Sequence, residues 1–185
     1  MEGKVKALES LAGKPLLSHV IDRISPQVNT LLLSVERHCD ALGVFGLLQV
    51  ADQVPDGGPL GGLLAGLRMM DTDCDWLLLV PCDAPFIPAG LAAGLLHCAE
   101  DSGQAGAVIR YQGEIQPTFS IWHRSVTPRL ERAVDEEGMG GFKQFLKAVD
   151  VAELDWPKSE PSPFFNINDK DALLEASSRV SAVPG

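Results

Sequence analysis

The spacing of apolar residues changes period several times along the chain. Leu16, Leu17, Val20, Ile21 and Ile24 recur at helical spacing, with Pro15 suited to a first turn and Pro26 closing the helix. "NTLLLSV" (29–35) is a short apolar run without alternation, the pattern of a strand buried on both faces, and "GLLQVAD" (46–52) is a second. Leu60, Leu63, Leu64 and Leu67 line one face of a helix that follows Gly57 and Gly58. "DWLLLV" (75–80) is a third buried strand, and 88–101 is a helix that tolerates two glycines. "AGAVIRY" (105–111) and "PTFSIW" (117–122) flank "QGE", which predicts a hairpin. Helices are predicted near 125–136 and 140–148, and a short strand at 149–155. A last helix is predicted over 168–178, capped by Asn168 or Asp169. Residues 177–185 are small and polar enough to form a loose tail after a single domain spanning 1–176.

Strands alternating with helices predict an α/β fold with a mostly parallel sheet covered on both faces. Ligands in such folds sit at the C-terminal ends of the strands. Asp83, in "LLLVPCDAPF" (77–86), falls just past one such end, and Asp52 falls at the end of another.

Composition narrows the function. The chain has 185 residues and a net charge of −10, which argues against nucleic acid as a main partner. A small anionic ligand remains compatible, because helix N-termini and one or two lysines hold phosphates locally. The four cysteines, at 39, 74, 82 and 98, form no C-x-x-C pair; they are expected as reduced thiols of a cytoplasmic chain rather than a zinc site. No apolar run has the ~18 residues of a membrane span, and no secretory leader opens the sequence.

Three stretches carry candidate chemistry. Asp83 is either a turn residue between two prolines or a Mg²⁺ ligand, since magnesium takes one or two carboxylates with phosphates and waters. "VADQVPDGGPLGGLLAGL" (50–67) is either a plain glycine-rich connection or a close backbone approach to a ligand at a helix N-terminus, with Asp52 or, one turn away, Asp56 on the same rim. Lys6 and Lys14 flank a short hairpin leading into the first helix, and either is an ordinary solvated charge unless a ligand lies beside it.

Taken together, Lys6-Ala7-Leu8 through "GKPLLSHV", "LLLSVER", Asp52 through "GPLGGLLAGL", "PCDAPF", "QPTFSIW" (116–122) and "NINDKDAL" (166–173) resemble the molybdenum cofactor guanylyltransferases over nearly the whole chain. The resemblance implies a Rossmann-like, three-layer nucleotidyltransferase fold of the nucleotide-diphospho-sugar transferase type. It implies GMP transfer from GTP to the terminal phosphate of molybdopterin, with release of pyrophosphate. Asp83 would hold Mg²⁺, and Lys6 would contact the nucleotide phosphates. Ser34, Asp52, Gly58, Pro59 and Leu60 would surround the nucleotide, and Asn166 and Asn168 would border the pterin. Other proteins of molybdenum cofactor biosynthesis or molybdoenzyme maturation would be partners. Rival readings are cytidylyl transfer to the same pterin, transfer to a sugar or cobinamide phosphate, and a non-catalytic module that binds pterin or a partner.

The family pattern opens with an apolar strand and "L-A-G-G-x-S-x-R-M-G", and counting back from Lys6 places Met1 on the methionine of that motif. The expectation is therefore a first strand, glycine-rich loop and arginine upstream of Met1, and impaired turnover in the chain as it stands. Val5 also stands where the family usually has Asp. Burying four aliphatic side chains of such a strand would contribute about 6–12 kcal/mol, at roughly 1.5–3 kcal/mol each.

Overall fold

The computed structural model describes residues 5–51, 58–160 and 162–181. A 3-10 turn at Lys6–Leu8 leads into the hairpin β1 (Ser10–Leu11) and β2 (Lys14–Pro15), whose two turn residues, Ala12 and Gly13, both have positive φ. Then follow α1 (Leu16–Ile24), β3 (Leu32–Val35), β4 (Leu48–Ala51), α2 (Gly58–Met69), β5 (Trp76–Leu79) and α3 (Leu91–Ser102). The second half holds β6 (Gly106–Tyr111), β7 (Glu114–His123), α4 (Thr127–Glu131, extended by a π turn to Glu136), α5 (Phe142–Ala148), β8 (Ala152–Trp156) and α6 (Lys170–Ser181).

Period-two burial explains the apolar runs. Leu77 and Leu79 point to one face of β5 and pack with α2; Trp76 and Leu78 point to the other. Val108 and Trp122 join the first face, and Ala107, Ile109 and Ile121 the second. One core therefore fills the space beneath α2, α4 and α5, with Leu60, Leu63, Leu64, Leu130, Phe142 and Phe145. The other fills the space beneath α1 and α3, with Leu17, Val20, Ile24, Leu91 and Leu95. The result is the expected α/β/α sandwich.

The strand directions are more mixed than the sequence pattern suggests. β3–β4 and β6–β8 are parallel, whereas β7 runs antiparallel to both β5 and β6, because a two-residue turn at Gln112 and Gly113 folds β7 directly back on β6. β7 also starts earlier than "PTFSIW", at Glu114. It accommodates Pro117 where the register slips, with Ile109 opposite Gln116 and Val108 opposite Ser120.

The strands form separate sheets: β3 pairs with β4, while β5 is the edge of the order β5-β7-β6-β8. Among the described residues no strand pairs with the second edge of β3 or of β5. α2 bridges the two pieces through its glycines. A Cβ on Gly62 would lie 2.7 Å from Ser34 Oγ, and one on Gly66 would lie 3.0 Å from Leu77 Cδ1. Leu77, Leu78, Leu79 and Val80 stay only half-buried, in contrast to the fully enclosed strand the apolar run predicts.

A third, smaller core joins Leu11 and Leu16 to Ile167 and Ala176, so the hairpin β1–β2 packs against α6 and the segment before it. Asp169, rather than Asn168, caps α6: its Oδ1 accepts from Ala172 N–H at 2.8 Å. α6 runs to Ser181, so residues 177–181, expected as loose tail, are helical. Arg179 explains part of that extension: its guanidinium lies 4.2 Å from the Phe165 ring and 5.6 Å from Phe86 and pairs with Glu175 one turn earlier.

Trp122 packs fully buried against Phe142 and Phe145, as its sequence context suggests. Its Nε1–H donates to Ser120 Oγ at 2.8 Å, and that hydroxyl donates to Pro117 O at 2.8 Å. Ser120→Ala leaves the indole N–H without this acceptor and should lower stability by about 1–3 kcal/mol, read as a shift of the urea midpoint at unchanged slope.

Candidate active site

Three segments remote in sequence converge past the C-terminal end of β5. The first is the loop "PCDAPF", in which Asp83 stands just beyond the strand. Its backbone carbonyl accepts a hydrogen bond from Ile167 N–H at 2.9 Å, which fastens the second segment, "NIN" (166–168), to the loop. The third is the turn at Lys6, anchored by buried Ala7. Lys6 Nζ pairs with Asp83 Oδ2 and donates to Asn168 Oδ1 at 2.8 Å. The Lys6 side chain is 32% exposed and that of Asp83 is 14% exposed. A carboxylate this enclosed needs a compensating cation, and the lysine supplies it.

Pro81, Ala84, Pro85 and Ile87 shape the Asp83 loop around the α1–α3 core: Ala84 and Ile87 are fully buried within it. Burial, and then the adjacent Asp83 carboxylate, push the Cys82 thiol up from its ordinary range, while Lys6 pulls it down. Cys82 therefore stays a neutral thiol rather than a nucleophile. All four cysteines are free thiols.

The other expected site residues lie around this centre in different ways. Ser34 is exposed on β3, with its hydroxyl against Gly62. Gly58 and Pro59 are exposed at the start of α2, whereas Leu60 is fully buried in the core, backbone included. Gly58 has φ +55°, and a Cβ there would lie 2.6 Å from Gly140 O. Glycine is thus required twice at this position, by backbone conformation and by the loop that crosses it. Asp52, Asp56 and Gly57 lie outside the described residues. Lys14 pairs with Asp22 at 3.0 Å on the surface and takes no part in the cluster.

The donor set suits a divalent cation of the hard, oxygen-seeking type. It offers the Asp83 carboxylate and the Asn168 amide oxygen; Asn166, two residues before Asn168 in the chain, has a buried Oδ1 with no hydrogen-bond partner among the described residues. The Lys6 ammonium already stands where a cation would sit on Asp83. Among the described residues no group of three or more His, Cys, Asp or Glu could hold a metal. An ion here would therefore need phosphates and waters to complete its shell, the usual arrangement for Mg²⁺. Among the described residues no helix is long and apolar enough to cross a membrane.

Sequence reasoning missed two residues that shape this region. Arg179 sat in the expected tail, yet it stacks under Phe165, next to Asn166. Gln27 links α1 to α3 by donating to Arg23 O and Pro88 O and accepting from Ala92 N–H, and so fixes the far end of the Asp83 loop. A lone arginine or glutamine in the sequence carries no such signal.

Sandwich, rim loop and lysine together define a nucleotidyltransferase. The fold is that of the crystal structure of molybdopterin-guanine dinucleotide biosynthesis protein A from Archaeoglobus fulgidus, with a TM-score of 0.81 at 21% identity over 98% of this chain and 93% of that one. It is also that of the manganese complex of Rv0371C from Mycobacterium tuberculosis H37Rv, with a TM-score of 0.66 at 19% identity over 95% and 93% of the two chains. The family profile described as "MobA-like NTP transferase domain" matches residues 1–153. The molybdenum cofactor guanylyltransferase of Rhodopseudomonas palustris (strain BisB5) is 35% identical over 181 residues, covering 95% of this chain and 86% of that protein. The chain belongs to the molybdenum cofactor guanylyltransferase family of MobA-like NTP transferases.

Gly58→Ala should cost about 1–3 kcal/mol, from the left-handed backbone and the contact with Gly140 O. Gly43→Ala, where a Cβ meets nothing within 4 Å, should be neutral or slightly stabilising. Thermal denaturation of the two variants side by side checks the difference.

Proposed function

We propose that this chain joins GMP from GTP to the terminal phosphate of molybdopterin and releases pyrophosphate, with Mg²⁺ held on Asp83. The convergence of Lys6, Asp83 and Asn168 at one strand end is the observation that carries the reading. A terminal phosphate oxygen of the pterin forms a bond to the α-phosphorus of GTP while the bond to the β-phosphate oxygen breaks, and pyrophosphate leaves with that electron pair. Such an in-line exchange needs alignment and charge neutralisation rather than a covalent nucleophile. Mg²⁺, when bound, neutralises the phosphates and draws negative charge from the reacting centre. Asp83 orients that ion, Lys6 meets the nucleotide phosphates, and Ser34, Asp52 and the start of α2 at Gly58–Leu60 surround the nucleoside. Asn166 and Asn168 lie on the pterin side of the cleft.

The test is an assay of pyrophosphate release with molybdopterin, Mg²⁺ and GTP, CTP or ATP. GTP should be the substrate, and Asp83→Asn should lower kcat/KM by at least about 100-fold, the scale of losing an electrostatic group aimed at the transition state. Use of CTP in place of GTP would make the protein a cytidylyltransferase. Pterin binding without metal-dependent nucleotide affinity would make it a non-catalytic module.

A further inference from the structure

The mechanism gives Lys6 and the metal separate duties, one toward the phosphates and one on Asp83. In the structure they share a place. Lys6 Nζ sits on Asp83 Oδ2, with a second N–H directed at Asn168 Oδ1 at 2.8 Å. An ammonium is a compact point charge with three donors, and two of them are directed at the oxygens that suit a metal ion. The Lys6 backbone is held by buried Ala7 next to it and by the Glu9 N–H to Lys6 O bond at 3.1 Å, while the side chain is 32% exposed.

We propose that Lys6 is the built-in counter-ion of Asp83 in the metal-free protein, and that it competes with the divalent cation for that carboxylate. Arrival of the cation and release of Lys6 toward the nucleotide phosphates are then one coupled event. The proposal rests on the reading of Asp83 as the metal ligand. A divalent ion and the Lys6 ammonium together bring three positive charges to one carboxylate, and the side chain is enclosed enough for their repulsion to count. Partial exposure of Lys6 limits the effect through solvent screening. A consequence follows for order of binding: the lysine turns to the phosphates only when the metal, or the metal–nucleotide complex, has displaced it.

The experiment measures Mn²⁺ binding to the nucleotide-free full chain by electron paramagnetic resonance. Lys6→Met removes the charge and keeps the length; it should bind Mn²⁺ about tenfold tighter than the parent, equivalent to about 1.4 kcal/mol. Asp83→Asn should weaken binding at least tenfold with either residue at position 6. A second measurement needs no variant: reductive methylation of Lys6 in the parent protein, followed by peptide mass spectrometry, should speed up several-fold when Mg²⁺ is added. Unchanged or weaker Mn²⁺ binding in Lys6→Met, with binding still lost in Asp83→Asn, overturns the competition and leaves the metal site standing. Unchanged binding in Asp83→Asn overturns the metal site and the competition together. A methylation rate indifferent to Mg²⁺ overturns the coupled release.

Discussion

A carboxylate at the end of an apolar strand has to be answered by a cation, and much of this molecule is arranged around that requirement. Asp83 follows four residues of β5, is mostly enclosed, and meets Lys6 from the other end of the chain. The bond from Ile167 N–H to Asp83 O brings Asn168 to the same point. The hairpin β1–β2 and α6 then have to pack together, which they do through Leu11, Leu16, Ile167 and Ala176. One ion pair at a strand end thus accompanies the packing of the N-terminal hairpin on α6.

The second constraint is close approach. α2 covers β3, β4 and β5 only because Gly62 and Gly66 let it touch Ser34 and Leu77 without a Cβ between them. Gly58 performs the same service against Gly140. Gly58, Gly62 and Gly66 therefore have structural work as well as any ligand to approach, and Leu60, Leu63 and Leu64 between them fill the core. This is why the motif is apolar on one face and glycine-rich elsewhere. The strands beneath form two sheets, and among the described residues no strand pairs with the second edge of β3 or of β5. The half-burial of Leu77 to Val80 is the physical mark of that arrangement.

Phosphoryl exchange asks little covalent chemistry of a protein, so few residues need to be reactive. Cys82, beside the central aspartate, fits this: its environment keeps the thiol protonated. The chain offers one enclosed carboxylate, one lysine, amide oxygens and exposed backbone at the start of α2, all of them groups that align and neutralise.

The sequence by itself determined the layers, because short apolar runs bounded by turn residues predict strands, and helical spacing names the faces that cover them. It also determined which short motifs belong together, through their resemblance to one family. Helix capping was legible to within one residue, since Asn168 and Asp169 are equally good caps by chemistry and only the fold chose Asp169. The tertiary structure decided the rest. The β6–β7 hairpin was legible, but the pairing of β7 with β5 depends on contact across the sheet, and Arg179 helps hold 177–181 helical by reaching Phe165. The seating of Lys6 on Asp83 and Asn168 depends on contacts 77 and 162 residues apart in the chain. Local pattern reports what a segment prefers to be; which charge meets which is set by long-range packing, and no periodicity in the chain records it.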